Sequence, residues 1–277
     1  MIDGRTRLIA HIGHPTESFK SPMIYNPFFE ARNINAAVVP MGCKREDYAA
    51  FLKLIFKLTN LHGALITMPH KSATLELVDE ASVSAKIAGA CNAVRLNGQG
   101  QMMGDMFDGE GFVRGLRRKG RQIAGATLFV AGCGGVGSAI AASMAKAGIS
   151  KLGLYDVSAP AMNGLAQRLQ HHYPNLAVIT GSAEPAGYDI VVNATPLGMK
   201  KDDPLPMRVD DISPSAFVGE VVMSAEMTPY LAAARAKGCD YQVGTDMLFE
   251  QIPAYLEFFG LGAATSDELR ELARIHY

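Results

Sequence analysis

The sequence has almost no net charge. Twenty-six Lys and Arg against 27 Asp and Glu leave a formal charge of −1, so no global field draws in nucleic acid or an anionic membrane, and a small molecule is the expected partner. Cysteine is scarce: Cys43, Cys91, Cys133 and Cys239 stand far apart, with no C-x-x-C pair and no metal-ligand spacing. That excludes a zinc site or a dense disulfide framework; no metal is expected, and a reducing, cytoplasmic setting fits best. The opening MIDGRTRLIAHIG carries Asp3, Arg5 and Arg7 and has no apolar core, so no secretory leader is expected. Internal repeats, low-complexity tracts and long linkers are also missing. One charge-free run, residues 123–145, is long enough to span a bilayer. Gly132, Gly134, Gly135 and Gly137 interrupt it, and it reads instead as a short strand, a tight turn and a new helix.

What is there suits a two-domain protein: 277 residues, 48% of them hydrophobic, are long for one layered unit. Periodicity predicts strands at residues 7–12, 36–40 and 63–67 and helices at 22–32, 45–58 and 69–78. Strands alternating with helices imply an α/β architecture with parallel pairing. A helical run at 108–120 leads into a more regular middle part, with strands at 127–131, 151–156 and 189–193 and helices at 135–147 and 161–170. This is the succession of a doubly wound, parallel-sheet (Rossmann) dinucleotide-binding domain. The expected division is an N-terminal α/β substrate domain, 1–107, completed by C-terminal helices 245–277, with 108–244 as the dinucleotide-binding domain. The stripe Met247, Leu248, Ile252, Tyr255, Leu256 and Phe259 in the C-terminal helices reads as core.

Gly132-x-Gly134-x-x-Gly137 follows an apolar strand and opens a helix, the context a dinucleotide fingerprint requires. Gly132 permits the turn, Gly134 admits a pyrophosphate to the backbone, and Gly137 lets helix and strand approach. The start of the helix, Gly135 and Val136, offers free N–H groups and a partial positive charge. Asp156 ends the next strand, 24 positions after Gly132, where a carboxylate accepts from the adenosine ribose hydroxyls and repels a 2′-phosphate. Val157 and Ser158 supply no cation to neutralise that phosphate, so NAD is favoured over NADP.

Removing a hydride from a secondary alcohol needs a group to take the hydroxyl proton. Lys71, which begins a helix after a strand, and Asp108, at the junction between domains, form a candidate pair for that task.

The order of motifs resembles the shikimate dehydrogenase family over most of the chain. The matches are Gly13-x-Pro15, Ser21-Pro22, Thr67-x-Pro69-His70-Lys71, Gly89-Ala90-x-Asn92, Asp108-x-x-Gly111-Phe112, the glycine loop, Asn193-Ala194-Thr195-Pro196-Leu197-Gly198-Met199, Thr228-Pro229 and Gly244-x-x-Met247-Leu248-x-x-Gln251. The resemblance implies an NAD(P)-dependent ring-alcohol dehydrogenase with Lys71 and Asp108 as its catalytic pair. It also implies Ser21, Thr67, Asn92 and Gln251 as substrate-binding residues, and places Asn193, Thr195, Pro196, Met199 and Gly244 near the cofactor. Aromatic amino acid biosynthesis is the implied setting, and a monomer or homodimer the implied assembly.

The departures from the family pattern are concentrated. H-S-x-S-P is here Ser18-Phe19-Lys20-Ser21-Pro22, N-V-T is Leu65-Ile66-Thr67, N-T-D is Met106-Phe107-Asp108, and the tyrosine of D-x-x-Y is Met223. The lost polar groups serve mainly the acid end of shikimate in the family, so Phe19, Leu65, Phe107 and Met223 are expected to line a rebuilt pocket. A carboxylate facing them would forgo charge-assisted hydrogen bonds of about 1.5–3 kcal/mol each, unless Lys20 turns inward. The expected substrate is therefore a ring alcohol or ketone other than, or broader than, shikimate. An ordinary shikimate or quinate dehydrogenase is the alternative, and a non-catalytic cofactor-binding sensor is a second one.

Overall fold

Parallel pairing dominates the sheets of the computed structural model, which describes residues 2–17, 19–200 and 202–275. The chain forms two units, Met1–Phe107 with Ile252–Tyr277, and Asp108–Gln251.

The first unit holds β1 (Arg7–Gly13), α1 (Pro22–Ala31), β2 (Ala36–Gly42), α2 (Tyr48–Ile55), β3 (Leu61–Ile66), α3 (Lys71–Leu77), β4 (Glu80–Ala81), α4 (Val83–Ala88), β5 (Ala93–Leu96) and β6 (Met102–Asp105). Its sheet runs β2-β1-β3-β5-β6-β4. The first three strands are parallel as expected, but β5 is antiparallel to both β3 and β6. β5 and β6 are not among the expected strands; they pair antiparallel because a tight turn rather than a helical crossover joins them. In that turn Asn97 Oδ1 accepts from the N–H groups of Gln99 and Gln101. Ala10, Ile12, Ala64, Ile66 and Val94 point to one face and pack on Tyr48, Leu52 and Ile55 of α2. The other face carries Ile9, His11, Gly63, Leu65 and Ala93, following the strand period of two.

The second unit holds α5 (Asp108–Arg118), β7 (Thr127–Ala131), α6 (Gly135–Lys146), β8 (Lys151–Tyr155), α7 (Ala159–His172), β9 (Ala177–Thr180), β10 (Ile190–Asn193), β11 (Phe217–Glu220), α8 (Pro229–Ala236) and β12 (Asp240–Gln242). Every pairing in its sheet is parallel, in the order β12-β11-β10-β7-β8-β9. This is the doubly wound order, with the reversal between β7 and β10. Helix α6 is apolar and buried almost all round, as a helix covering such a sheet must be. Ser158 and Thr228 cap α7 and α8 through their hydroxyls.

Helix α9 (Gly244–Phe259) and α10 (Ser266–Leu272) complete the chain. The return to the first unit falls at residue 252 rather than 245. The early part of α9 stays with the second unit because it lies against α5. A Cβ at Gly111 would sit 2.6 Å from the Met247 carbonyl oxygen, and Arg118–Glu250 and Lys119–Asp246 ion pairs of 3.1 Å bind the two helices. No helix among the described residues is long and apolar enough to cross a membrane. The charge-free run of residues 123–145 is β7, its turn and α6.

Candidate functional site

In the first unit the candidate residues gather at the carboxyl ends of β1 and β3, the end at which open α/β sheets hold their ligands. Gly13 is closely enclosed: a Cβ there would lie 2.4 Å from Thr67 Cγ2 and 2.8 Å from the Phe19 ring. The Phe19 ring in turn stacks on His11, with centroids 4.1 Å apart. Leu65 is paired in register with His11 and is buried. Ser21 precedes α1 but makes no side-chain cap. Lys20 is half-buried, and Ser18, which opens that stretch, lies outside the described residues.

Lys71 is the first residue of α3. What holds this helix start is its neighbour His70, whose ring stacks on Tyr48 at 3.9 Å and whose Nε2 lies 2.8 Å from the Cys43 carbonyl oxygen. Thr74 donates to the His70 carbonyl and meets the Tyr48 hydroxyl at 2.6 Å. The Lys71 carbonyl accepts from Cys91 N–H, which ties α3 to the approach to β5. Asn92, next in the chain, is buried, and its Oδ1 accepts from the Phe107 N–H at 2.9 Å.

The altered positions of the family pattern do not all present a ligand-facing side chain. Met106 is buried, and the Phe107 ring packs edge-on against Tyr255 and Phe258 at 4.9 and 5.3 Å. Met106 belongs to the buried core of the first unit, and Phe107 is half-buried. Leu65 is 4% exposed, whereas Met223, in the second unit, is 44% exposed.

Asp108 opens α5 and is buried. Glycines set the position of this helix. A Cβ at Gly109 would reach 2.0 Å from the Ala139 carbonyl oxygen of α6, and one at Gly111 would meet Gln251 as well as Met247. Gln251 Oε1 is buried without a hydrogen-bond partner.

The nucleotide end is built mainly from backbone. Gly132 has φ 99°, and a Cβ there would strike the Ala194 carbonyl at 2.6 Å, while one at Gly137 would come within 1.9 Å of the Gly132 oxygen. Gly134 and Gly135, by contrast, face open space, and α6 starts at Gly135 with no side-chain cap. Its first N–H groups are therefore offered outward beside the half-buried Val136. This shape fits the pyrophosphate of a dinucleotide. Asp156 is fixed beside it: Oδ2 accepts from Cys133 N–H at 2.6 Å and Oδ1 from Ser158 N–H at 2.7 Å.

The segment after β10 is held from behind by buried groups. Asn193 Oδ1 accepts from the Thr195 N–H and hydroxyl, and its Nδ2 donates to the Leu197 carbonyl and to Glu220. Glu220 also accepts from Thr228 Oγ1 at 2.6 Å, and burial pushes its carboxyl up. Pro196 and Met199 are left exposed on this support. Gly244 passes so close to the strand β11 exit that a Cβ would lie 2.1 Å from the Val222 oxygen. No cluster of His, Cys, Asp or Glu among the described residues suits a metal ion.

Sequence reasoning missed the His70–Tyr48–Thr74 support, the Glu220 network and His11. His70 and Glu220 lie inside quoted motifs, so contiguity was a signal for them. Only strand register reveals His11.

Residues 11–94 match the family model described as the shikimate dehydrogenase substrate binding domain. The shikimate dehydrogenase (NADP(+)) of Rubrobacter xylanophilus is 35% identical over 254 residues, covering 90% of this chain and 89% of that one. Among solved structures, shikimate 5-dehydrogenase from Listeria monocytogenes in complex with shikimate and NAD matches with TM-score 0.91 at 24% identity, over 98% and 97% of the two chains. Quinate dehydrogenase from Corynebacterium glutamicum in complex with NAD matches with TM-score 0.86 at 28% identity, over 96% and 98%.

Proposed function

We propose, since the chain belongs to the shikimate dehydrogenase family, that it interconverts a secondary alcohol and a ketone on a shikimate- or quinate-like ring. The open glycine cradle carries this reading: main-chain N–H groups at Gly134, Gly135 and Val136 suit the pyrophosphate, and Asp156 the adenosine ribose. The nicotinamide supplies hydride transfer when bound, with Asn193, Thr195, Pro196, Met199 and Gly244 as the residues beside it. Lys71 takes the hydroxyl proton as the carbonyl forms and returns it in reduction, and Asp108 is the second residue of the proposed catalytic pair. Ser21, Thr67, Asn92 and Gln251 hydrogen-bond the ring; the unpartnered Gln251 Oε1 supports that role. The support behind Lys71 and Asp108, a stacked histidine for one and glycine contacts for the other, suits groups that must hold position during proton transfer.

Shikimate or quinate is the substrate that the relatives' names support. A second reading, a ring bearing a group other than carboxylate, is favoured by Phe19 and Leu65, which stand where the family pattern has polar side chains. NAD is the preferred cofactor on this reading, because the Asp156 carboxylate, held beside the glycine loop by the Cys133 and Ser158 N–H groups, repels a 2′-phosphate.

The test is turnover of shikimate, quinate and a neutral ring diol with NAD and with NADP. Lys71→Ala is expected to lower kcat by about 10²–10⁴-fold while NAD affinity stays the same. An unchanged kcat removes Lys71 as the proton acceptor, and a kcat/KM favouring NADP removes the argument from Asp156.

A further inference from the structure

His11 stands at an unexpected place for a polar side chain. It lies in the interior of β1, two residues before Gly13, in a lateral row that runs Pro40, His11, Leu65, Ala93 across four strands. The residue is 7% exposed, and its Nδ1 is buried without a hydrogen-bond partner. A buried nitrogen left in this state forfeits its water without a replacement, which folded proteins rarely tolerate where no ligand uses the group. Four neighbours define what that ligand is. Phe19 stacks on one face of the imidazole, Leu65 is beside it in register, Thr67 lies beyond against Gly13, and the Lys71 ammonium is near enough to act on its charge. Two of these are the altered positions of the family pattern, and two belong to the retained motif.

We propose that His11 is a specificity-determining residue that hydrogen-bonds the ring substituent farthest from the reacting carbon, in place of the polar side chains lost at positions 19 and 65. Burial, and then the Lys71 ammonium, push its imidazole down to about 4. The ring is therefore uncharged near neutrality, with one nitrogen donating and the other accepting. A hydroxyl or amide substituent can bond the facing nitrogen in either state, donating to it or accepting from it, whereas a carboxylate can only accept from its N–H. The substrate class that follows is a ring alcohol with an uncharged hydroxyl- or amide-bearing substituent at that end. A half-turn about Cβ–Cγ preserves the Phe19 stack and exchanges Nδ1 with Cδ2, so either nitrogen can be brought to the ligand.

This inference rests on the ring-alcohol reading, and one experiment separates the two. Initial rates of the full-length enzyme with NAD are measured on shikimate and on its carboxyl-reduced primary alcohol, for the native chain, His11→Val and His11→Asn. The native enzyme should favour the alcohol in kcat/KM. His11→Val should raise KM for the alcohol about tenfold or more with kcat within about threefold and unchanged NAD affinity, and His11→Asn should recover part of the loss. If the native enzyme turns over neither compound, the ring-alcohol reading falls and this inference with it. If it turns them over and KM is unmoved in both variants, or kcat falls with KM unmoved, the specificity role of His11 is overturned while the reading stands. The near-isosteric His11→Asn covers the case in which His11→Val does not fold.

Discussion

In the second unit the groups offered to a ligand are mostly main-chain, exposed by glycines and backed by the buried Asn193–Glu220–Thr228 bonds. In the first unit they are side chains, carried on adjacent strands and a helix start and backed by stacked rings. A main-chain site depends on φ and close approach, which spacing in the sequence encodes directly. A side-chain site depends on which strands lie next to each other, so it changes residue by residue while the fold stays the same. That contrast accounts for a glycine loop that keeps the generic pattern and a pocket that departs from it.

The largest expected effect comes from filling the main-chain site. Gly137→Ala places a methyl 1.9 Å from the Gly132 oxygen, and should weaken NAD binding about 100-fold or more and lower Tm. Gly134→Ala, with no protein atom within 4 Å of its new methyl, should weaken NAD while leaving Tm alone. Fluorescence titration and thermal melts of both variants would break the comparison if the two behaved alike.

Acid should next separate the units. His11 is pushed down to about 4 from 6.5, and burial lowers His70 as well. Between pH 6.5 and 4 the unfolded chain takes up the His11 proton before the native state does, so stability falls as pH falls, by about 3 kcal/mol at full extent for that histidine. Glu220 is raised, so its native form binds a proton before the unfolded one, and its contribution is lost as pH rises instead. Amide exchange across this range should show the first unit opening sooner, and His11→Val should flatten its slope. Equal loss in both units would contradict the assignment.

The smallest effect is Glu220→Ala, which takes from Thr228 Oγ1 its acceptor and from Asn193 Nδ2 one of two. Because Asn193 Nδ2 keeps the Leu197 carbonyl and only Thr228 Oγ1 is orphaned, it should cost about 1–3 kcal/mol in urea unfolding. A loss indistinguishable from zero would mean that the backing of the segment after β10 lies elsewhere.

The second unit was largely legible in the sequence, because β7, the glycine loop and α6 each carry a local signal in period or glycine spacing. The motif residues of the first unit could likewise be picked out one at a time. β5 and β6 were missed although Asn97-Gly98 announces a hairpin, since four-residue strands give too little alternation. The early part of α9 could not be assigned to a unit from its apolar stripe, for the stripe does not say that Gly111 leaves room for Met247. Phe107 read as a pocket residue because its motif is a pocket motif; that its half-buried ring also packs on Tyr255 and Phe258, far along the chain, could not be read from it.

The two hydrogen bonds that Asp156 accepts from Cys133 and Ser158 bear on any attempt to retarget the cofactor. The same carboxylate that would select the ribose also fastens the turn next to the glycine cradle, so exchanging it alone slackens that turn while admitting a phosphate. A successful redesign has to give both amides a new acceptor and add a cation in the same step.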